Sequence, residues 1–302
     1  MIKDLRVNYP SKLSHNHKLD TVSVIIPTLN RCKLLKRALS SVLTQTVKPD
    51  EVIVIDNGSS DQTDIMVSSS FPTIKYLVEK KKGVSAARNR GISFAQSNWI
   101  ALLDSDDTWK PNKIEKQLQF ANQNKDLRLI HTNEIWYRNG KLLNQMKKHQ
   151  KSGGNIFEKS LELCCVSPSS SIIQKNVFND YGFFDEKLEV CEDYDMWIRI
   201  TAKEEIGYLS EPMVFKYGGH EDQLSKKFWG MDRFRIKSLE KNIENNWFSK
   251  EQIKTVYKKL IEKLIIVSTG AKKRGNQEAF QKYDQKLKQC LIKLEEIKYE
   301  SK

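Results

Sequence analysis

A chain of 302 residues with 39% hydrophobic and 29% charged residues can hold one large domain plus an appendage, with enough apolar material for a core. No apolar segment approaches the roughly 20 residues that cross a bilayer, and Met1 to Asp20 lacks the hydrophobic stretch of a secretory signal, so a cytoplasmic chain is expected. The five cysteines (Cys32, Cys164, Cys165, Cys191, Cys290) are odd in number and lack Cys-x-x-Cys spacing, which disfavours a zinc site.

Net charge is +13, unevenly placed: from Glu221 to Lys302 there are 20 Lys and Arg against 12 Asp and Glu. Such a surface can face nucleic acid, anionic lipid, an acidic substrate or simply water, and its sign does not choose among them.

Residues 1–20 are polar and aperiodic and read as a loose tail, which disfavours a metal role for His15 and His17. From Thr21 onward strands and helices alternate. Val22 to Ile26 and Val52 to Ile55 are Val- and Ile-rich runs suited to strands buried on both faces. Lys33 to Thr44 places Leu34, Leu35, Ala38, Leu39, Val42 and Leu43 on one helical stripe, with Asn30 near its start as a cap. A short helix begins at Asp61 or Thr63, a strand spans Ile74 to Val78, and a helix spans Ser85 to Gln96. Pro111 suits the first turn of a helix reaching about Asn124. Lys141 to Ile156 reads as a polar, glycine-bearing excursion loop. Further elements are a helix near Phe157 to Leu163, a strand near Ser170 to Ile173, and a helix begun by Glu192 or Asp193. After about Asp222 only helical stripes remain: Ile236, Leu239, Ile243 and Trp247, then Ile253 to Ile265, then Phe280 to Ile297.

The alternation argues for an open, mainly parallel sheet, whose ligands sit beyond the carboxyl ends of the strands. Three polar loops lie there: Pro27 to Arg31, Asp56 to Asp61, and Asp104 to Asp107. The last follows the apolar run Trp99 to Leu103 and crowds three carboxylates into four residues, a pattern that suits a cation site or a solvated turn. The two companion loops favour the cation.

Six motifs in order carry a resemblance to a known family: Ser23-Val24-Ile25-Ile26-Pro27-Thr28-Leu29-Asn30-Arg31, Val54-Ile55-Asp56-Asn57-Gly58-Ser59-Ser60-Asp61, Gly83 to Gly91 around Ala87-Arg88-Asn89, Leu103-Asp104-Ser105-Asp106-Asp107, Cys191 to Arg199 around Glu192-Asp193, and Tyr217-Gly218-Gly219-His220. Over about residues 21–225 the chain resembles the family 2 inverting glycosyltransferases. The resemblance implies an α/β fold, a Rossmann-like, mainly parallel sheet flanked by helices (the A-type glycosyltransferase fold), with an all-helical C-terminal extension. The expected divisions are a tail (1–20), a nucleotide-sugar-binding catalytic domain (21–222) and a helical module (223–302).

The resemblance also implies roles. Asp106, Asp104 and His220 would hold Mn2+ or Mg2+, which favour oxygen ligands, Mn2+ also accepting imidazole. Asp193 would be the base, and Glu192 and Asp185 would face the acceptor. Pro27, Thr28, Leu29, Arg31, Asp56, Asn57, Arg88, Asp104 and Ser105 would bind the donor. Leu29 stands where the family often has an aromatic residue and Asn57 where it often has a second Asp. Leu29 would stack weakly, and Asn57 can pair with either uracil or cytosine, so uridine is the first choice of base rather than a reading. Glu192-Asp193 also suits helix capping, Arg88 a surface ion pair, and Met196 and Trp197 core packing. Gly83 and Gly91 serve turns and packing.

The expected activity is metal-dependent inverting transfer of a sugar from a nucleotide sugar, UDP-linked first, to a hydroxyl of a glycan or lipid-linked acceptor. The setting would be the cytoplasm or, peripherally, the inner membrane face, with the C-terminal helices available for self-association. A sugar-nucleotide pyrophosphorylase is disfavoured because no Gly-rich phosphate loop follows the first strand. The alternative is a basic nucleic-acid- or membrane-surface-binding protein without catalysis. It leaves Asp104, Asp106, Asp193 and His220 unexplained, so no nucleic-acid partner is expected.

Overall fold

The computed structural model describes residues 20–219 and 228–300. Its centre is β1 (Val22–Thr28), buried along its whole length. Alternation along this strand makes the two faces of the sheet: Val22, Val24 and Ile26 join one core, and Ile25 the other. The first core is covered by α1 (Cys32–Leu43) and α4 (Lys113–Gln123), through Leu35, Ala38, Leu39, Ile114 and Leu118. The second is covered by α3 (Val84–Phe94) and α7 (Glu192–Thr201), through Ala87, Ile92, Met196 and Trp197. Met196 and Trp197 are thus core residues, as expected.

The strands β2 (Glu51–Asp56), β3 (Lys75–Val78) and β4 (Trp99–Leu102) complete a parallel half in the order β3-β2-β1-β4. Beyond β4 the sheet is mixed. β8 (Ser171–Gln174) runs antiparallel to β4 and to β6 (Leu129–Arg138), and β9 (Gly207–Gly218) runs parallel to β6. The two-residue β5 (Thr108–Trp109) pairs with β9, and β7 (Lys141–Leu143) with β6. Order reverses between β1 and β4, since the chain leaves β1 for β2 and returns on the other side at β4. That is the switch point where α/β sheets bind ligands.

Several sequence expectations are refined here. Asn30 does not cap α1: it adopts φ 53°, and its side-chain oxygen accepts from the Ser60 N–H at 2.7 Å. The start of α1 is served instead by Asp61, whose Oδ2 accepts from the Cys32 N–H at 3.1 Å. Asp61 Oδ1 also accepts from the Thr63 N–H at 3.1 Å, so one side chain stabilises the N-termini of α1 and of α2 (Thr63–Ser70). The helix after Pro111 begins at Lys113. The segment 141–156 is only partly a loop, because it contains β7. The turn before it has Asn139 at φ 50° and Gly140 at φ 75°, the Asn-Gly pair that closes a tight hairpin.

Gly91 has a packing role. A Cβ there would stand 2.5 Å from Ile25 Cγ2 and 3.2 Å from Ile55 Cγ1, so only glycine lets α3 lie this close to the sheet. Gly83, at φ 124°, makes the turn that starts α3.

The C-terminal helices α8 (Asp232–Glu244), α9 (Lys250–Lys273) and α10 (Gln277–Glu300) turn their apolar stripes inward. Ile236, Leu239, Val256, Leu260 and Leu264 form a third core with Tyr194 and Ile198 of α7 and with Phe157 and Leu161 of α5 (Phe157–Glu162). Ser249 and Gln252 form a reciprocal capping box at the start of α9. No helix among the described residues is long and apolar enough to cross a membrane.

His131 on β6 is fully buried; its Nε2 lies 2.9 Å from the Ser152 carbonyl and its Nδ1 has no partner. Burial, aided by the nearby Lys151 charge, pushes its pKa down to about 3 from 6.5. The unfolded chain therefore binds the extra proton first, and stability present above pH 6.5 is lost as pH falls toward 3, by on the order of a few kcal/mol. Urea unfolding of His131→Gln, whose amide can still donate to Ser152, should show a shallower loss of stability over that window than the parent. An unchanged slope would assign acid lability to other groups.

Candidate active site

The loops after β1 and β4 meet across the switch point. Arg31 reaches from the first to Asp106 in the second, Nη1 to Oδ2 at 2.9 Å, and Arg37 Nη2 donates to the Asp106 carbonyl at 2.7 Å. A cavity of about 230 Å³ opens here, lined by Pro27, Arg31, Arg88, Ser105, Asp106 and Tyr217 among others. A second, of about 350 Å³, is lined by Cys164, Asp193, Glu134, Trp136, His149 and Lys151 among others. Four residues line both cavities: Arg88, Asp104, Glu192 and Lys216. The two are therefore halves of one cleft with a charged waist.

Arg88 makes that waist. Carried inward by α3, it is 4% exposed and donates to Asp104 Oδ1 at 2.7 Å and to Glu192 Oε1 at 2.5 Å. The ion pair that the sequence suggested for Arg88 is therefore a buried one, not a surface one. Burial would disfavour its charge, but Asp104 and Glu192 outweigh that and hold its pKa above the ordinary arginine value. Asp104 is opposed by burial and held low overall by Arg88, Lys216 and Arg31. Glu192 is raised to about 7 by burial and by the charge of Asp193, against the pull of Arg88. Glu192 is thus a partner of Arg88 at the waist more than a surface of the acceptor side.

Sequence reasoning left Asp107 and Lys216 without roles. Asp107 is 1% exposed; its Oδ2 accepts from Ser169 Oγ at 2.6 Å and Lys216 Nζ at 2.9 Å, and its Oδ1 from the Tyr217 N–H at 3.2 Å. Burial raises its pKa to about 7, against Lys216. It fastens the acidic turn to β9. Lys216 also lies 3.9 Å from Asp104 Oδ2.

The loop after β2 behaves differently from expectation. Asp56 Oδ1 accepts from the N–H groups of Gly58 and Ser59 at 2.9 and 2.6 Å, and Oδ2 receives the Tyr76 hydroxyl. Asn57 donates to the carbonyls of Glu79 and Lys81 at 3.0 and 2.7 Å and accepts from the Gly83 N–H at 2.7 Å. The amide expected to read the base is engaged in tying β2 to the chain between β3 and α3. Thr28 is buried with its hydroxyl unpartnered, and Leu29 is 43% exposed.

Asp193, in the first turn of α7, accepts from the Cys164 thiol at 3.1 Å and from the Tyr194 N–H at 2.7 Å. Asp104, Asp107, Glu134 and Glu192 each have a Lys or Arg within ion-pair range. Among the described residues lining the cleft, Asp193 is the carboxylate that has none. Asp185 does not line either cavity. Lys241 holds it at 2.9 Å, on a different face where Phe183, Asn242 and Trp247 meet. His220 lies outside the described residues. The remaining donor set, Asp104 and Asp106, consists of hard carboxylate oxygens suited to Mg2+ or Mn2+. No group of three or more His, Cys, Asp or Glu side chains able to hold a metal forms among the described residues.

A switch-point cleft with an acidic turn after β4 and a helix-borne carboxylate opposite defines a glycosyltransferase of the A-type fold. The chain belongs to glycosyl transferase family 2, whose model matches residues 23–182. A protein from Rickettsia felis described as an uncharacterized glycosyltransferase is 33% identical over 218 residues, which is 70% of this chain but 34% of that protein; the chain spans about a third of the length of the first such relatives. The Escherichia coli UDP-Glc:alpha-D-GlcNAc-diphosphoundecaprenol beta-1,3-glucosyltransferase WfgD is 31% identical over 192 residues, 63% of this chain and 73% of that one. In fold, the chain is similar to S. aureus TarS 1-349 solved in complex with UDP-GlcNAc, with a TM-score of 0.59, 17% identity, and coverage of 89% of this chain and 92% of that one.

Replacing Arg88 with Met strands Asp104 and Glu192 without their shared cation. The expected cost is about 3–5 kcal/mol in urea unfolding, against less than about 1 kcal/mol for breaking the exposed Lys293–Glu296 pair. Equal small losses would show that the waist does not depend on Arg88.

Proposed function

We propose that this glycosyltransferase is metal-dependent and inverting, and that it moves a sugar from a UDP-sugar to a hydroxyl of a glycan or lipid-linked acceptor. The observation that carries this reading is the carboxylate of Asp193, which forms no direct ion pair and is set in the same cleft as Asp104 and Arg88. A base must keep a lone pair free for the acceptor proton, and a carboxylate locked to an ammonium or guanidinium is a poor one.

In this reading the nucleoside diphosphate occupies the cavity lined by Pro27, Arg31, Ser105 and Asp106, and the acceptor enters past Cys164 and Lys151. Around the waist Asp104, Asp106, Asp107 and Glu192 face Arg31, Arg37, Arg88 and Lys216, so these cations are already engaged and a bound metal ion would supply the charge that a diphosphate calls for. Asp106 and Asp104 would hold Mg2+ or Mn2+, and the bound ion would offset charge on the leaving diphosphate. Asp193 Oδ takes the proton of the acceptor hydroxyl. The acceptor oxygen forms the new bond to the anomeric carbon from the face opposite the diphosphate, and the bond to the diphosphate oxygen breaks, inverting the centre. Arg88 keeps Asp104 and Glu192 in place, and the thiol of Cys164 orients Asp193 without giving it a counter-charge.

The donor class draws support from the relatives: WfgD is named for UDP-Glc, and TarS structures hold UDP and UDP-GlcNAc. The name of WfgD also supplies the lipid-linked acceptor class. Work at the inner face of a membrane, a nucleotide-sugar-binding region over 21–222 and a helical module over 223–302 belong to the same reading.

UDP with Mn2+ should raise the melting temperature, and EDTA should abolish the rise. Salt-sensitive binding of oligonucleotides with no nucleotide effect would instead favour a non-catalytic basic protein. Asp193→Asn should keep the UDP response while turnover falls by on the order of a thousandfold or more. Retained turnover would remove Asp193 from the mechanism.

A further inference from the structure

From Ile135 to Phe157 the chain has five Lys and Arg (Arg138, Lys141, Lys147, Lys148, Lys151) and no Asp or Glu. This is the β6–β7 hairpin and the segment that follows it. Beyond the turn, three of its apolar residues do not turn inward: Leu142 is 65% exposed, Leu143 42% and Met146 59%. β7 pairs with β6 alone among the described residues, through Trp136–Leu143, Tyr137–Leu142 and Arg138–Lys141. The hairpin therefore projects from the sheet with bare leucines between cations, held in shape by its Asn139-Gly140 turn.

We propose that this hairpin docks on an anionic lipid surface. Its composition fits that partner on two counts. Apolar side chains among lysines gain by entering the headgroup boundary while the ammonium groups stay at the phosphates, and the absence of carboxylates over 135–157 removes the repulsion that anionic lipid would otherwise meet. The C-terminal helices also expose Ile265, Ile266, Leu291 and Ile292, but they are a poorer fit because their lysines are interspersed with glutamates and paired to them. Position adds a purpose. The same segment continues into His149 and Lys151, which line the half of the cleft holding Asp193. Docking there would turn the acceptor entrance toward the membrane. Only this use, presentation of a lipid-linked acceptor, rests on the function proposed above; the binding surface does not.

The test is co-sedimentation of the full chain with phosphatidylcholine vesicles, with and without phosphatidylglycerol, alongside the UDP melting response. The parent should bind the phosphatidylglycerol vesicles and release at high salt. Leu142→Ser/Leu143→Ser and Lys141→Glu/Lys147→Glu should each bind at least about tenfold more weakly, with the UDP response unchanged. These side chains are exposed, so the melting temperature should hold as well. Vesicle binding by both variants equal to the parent, or none by the parent, overturns the proposal while leaving the transferase reading intact. Loss of a dimer in light scattering of the leucine variant, with no vesicle effect, also overturns it and makes the hairpin an interface between copies. A lost UDP response in the parent would count against the transferase reading and leave the vesicle result to judge the hairpin.

Discussion

A single buried guanidinium organises this molecule's working face. Arg88 stands between Asp104, at the end of a strand, and Glu192, at the start of a helix more than a hundred residues later in the chain. Burying one carboxylate is costly and burying two side by side more so, yet a shared cation turns the pair into a stable joint. The two cavities can then meet at a point where charge is nearly balanced. Without that joint the acidic turn after β4 and the N-terminus of α7 would repel each other and the cleft would open along its middle.

The depth of Arg88 is in turn a matter of backbone packing. Gly91, one turn along the same helix, lets α3 settle onto Ile25 and Ile55, and the side chain three residues earlier is delivered to the waist. On the opposite wall Asp107 is gripped by Ser169, Lys216 and Tyr217. The two halves of the cleft are thus framed by residues whose first task is to hold one another. Asp193 takes no part in these ion pairs, which leaves its carboxylate available for the role proposed above.

Much of this was legible in the residues themselves. The Val- and Ile-rich runs located β1 and β2, the stripe from Leu35 to Val42 located α1, and the crowding of Asp104, Asp106 and Asp107 marked the end of β4. Asp193 and Arg88 were picked out by resemblance, and the geometry brings both to one cleft. What stayed hidden depends on partners distant in sequence. Nothing near Asn57 announces that its amide is consumed by the carbonyls of Glu79 and Lys81, and nothing near Asp185 announces Lys241. Nothing near Lys216 announces its carboxylates, Asp107 and Asp104, which lie 109 and 112 positions away. β6 and β9 were missed for a different reason: they run beside each other with a register shift near Asn133, and alternation is blurred where both faces are half covered. The Asn139-Gly140 hairpin, by contrast, carried a local signal strong enough to have been read.

The helix that presents Asp193 is seated on the C-terminal helices through one submerged carboxylate. Asp195 is fully buried and is met by Lys241, Ser238 and Asn242 of α8 and by Arg199 of its own helix, at 2.7, 2.8, 3.0 and 3.1 Å. One residue, Tyr194, lies between this hub and Asp193 in the first turn of α7. The seating of that turn is therefore set by α8 as much as by the sheet beneath it, and the C-terminal helices are part of the foundation of the cleft.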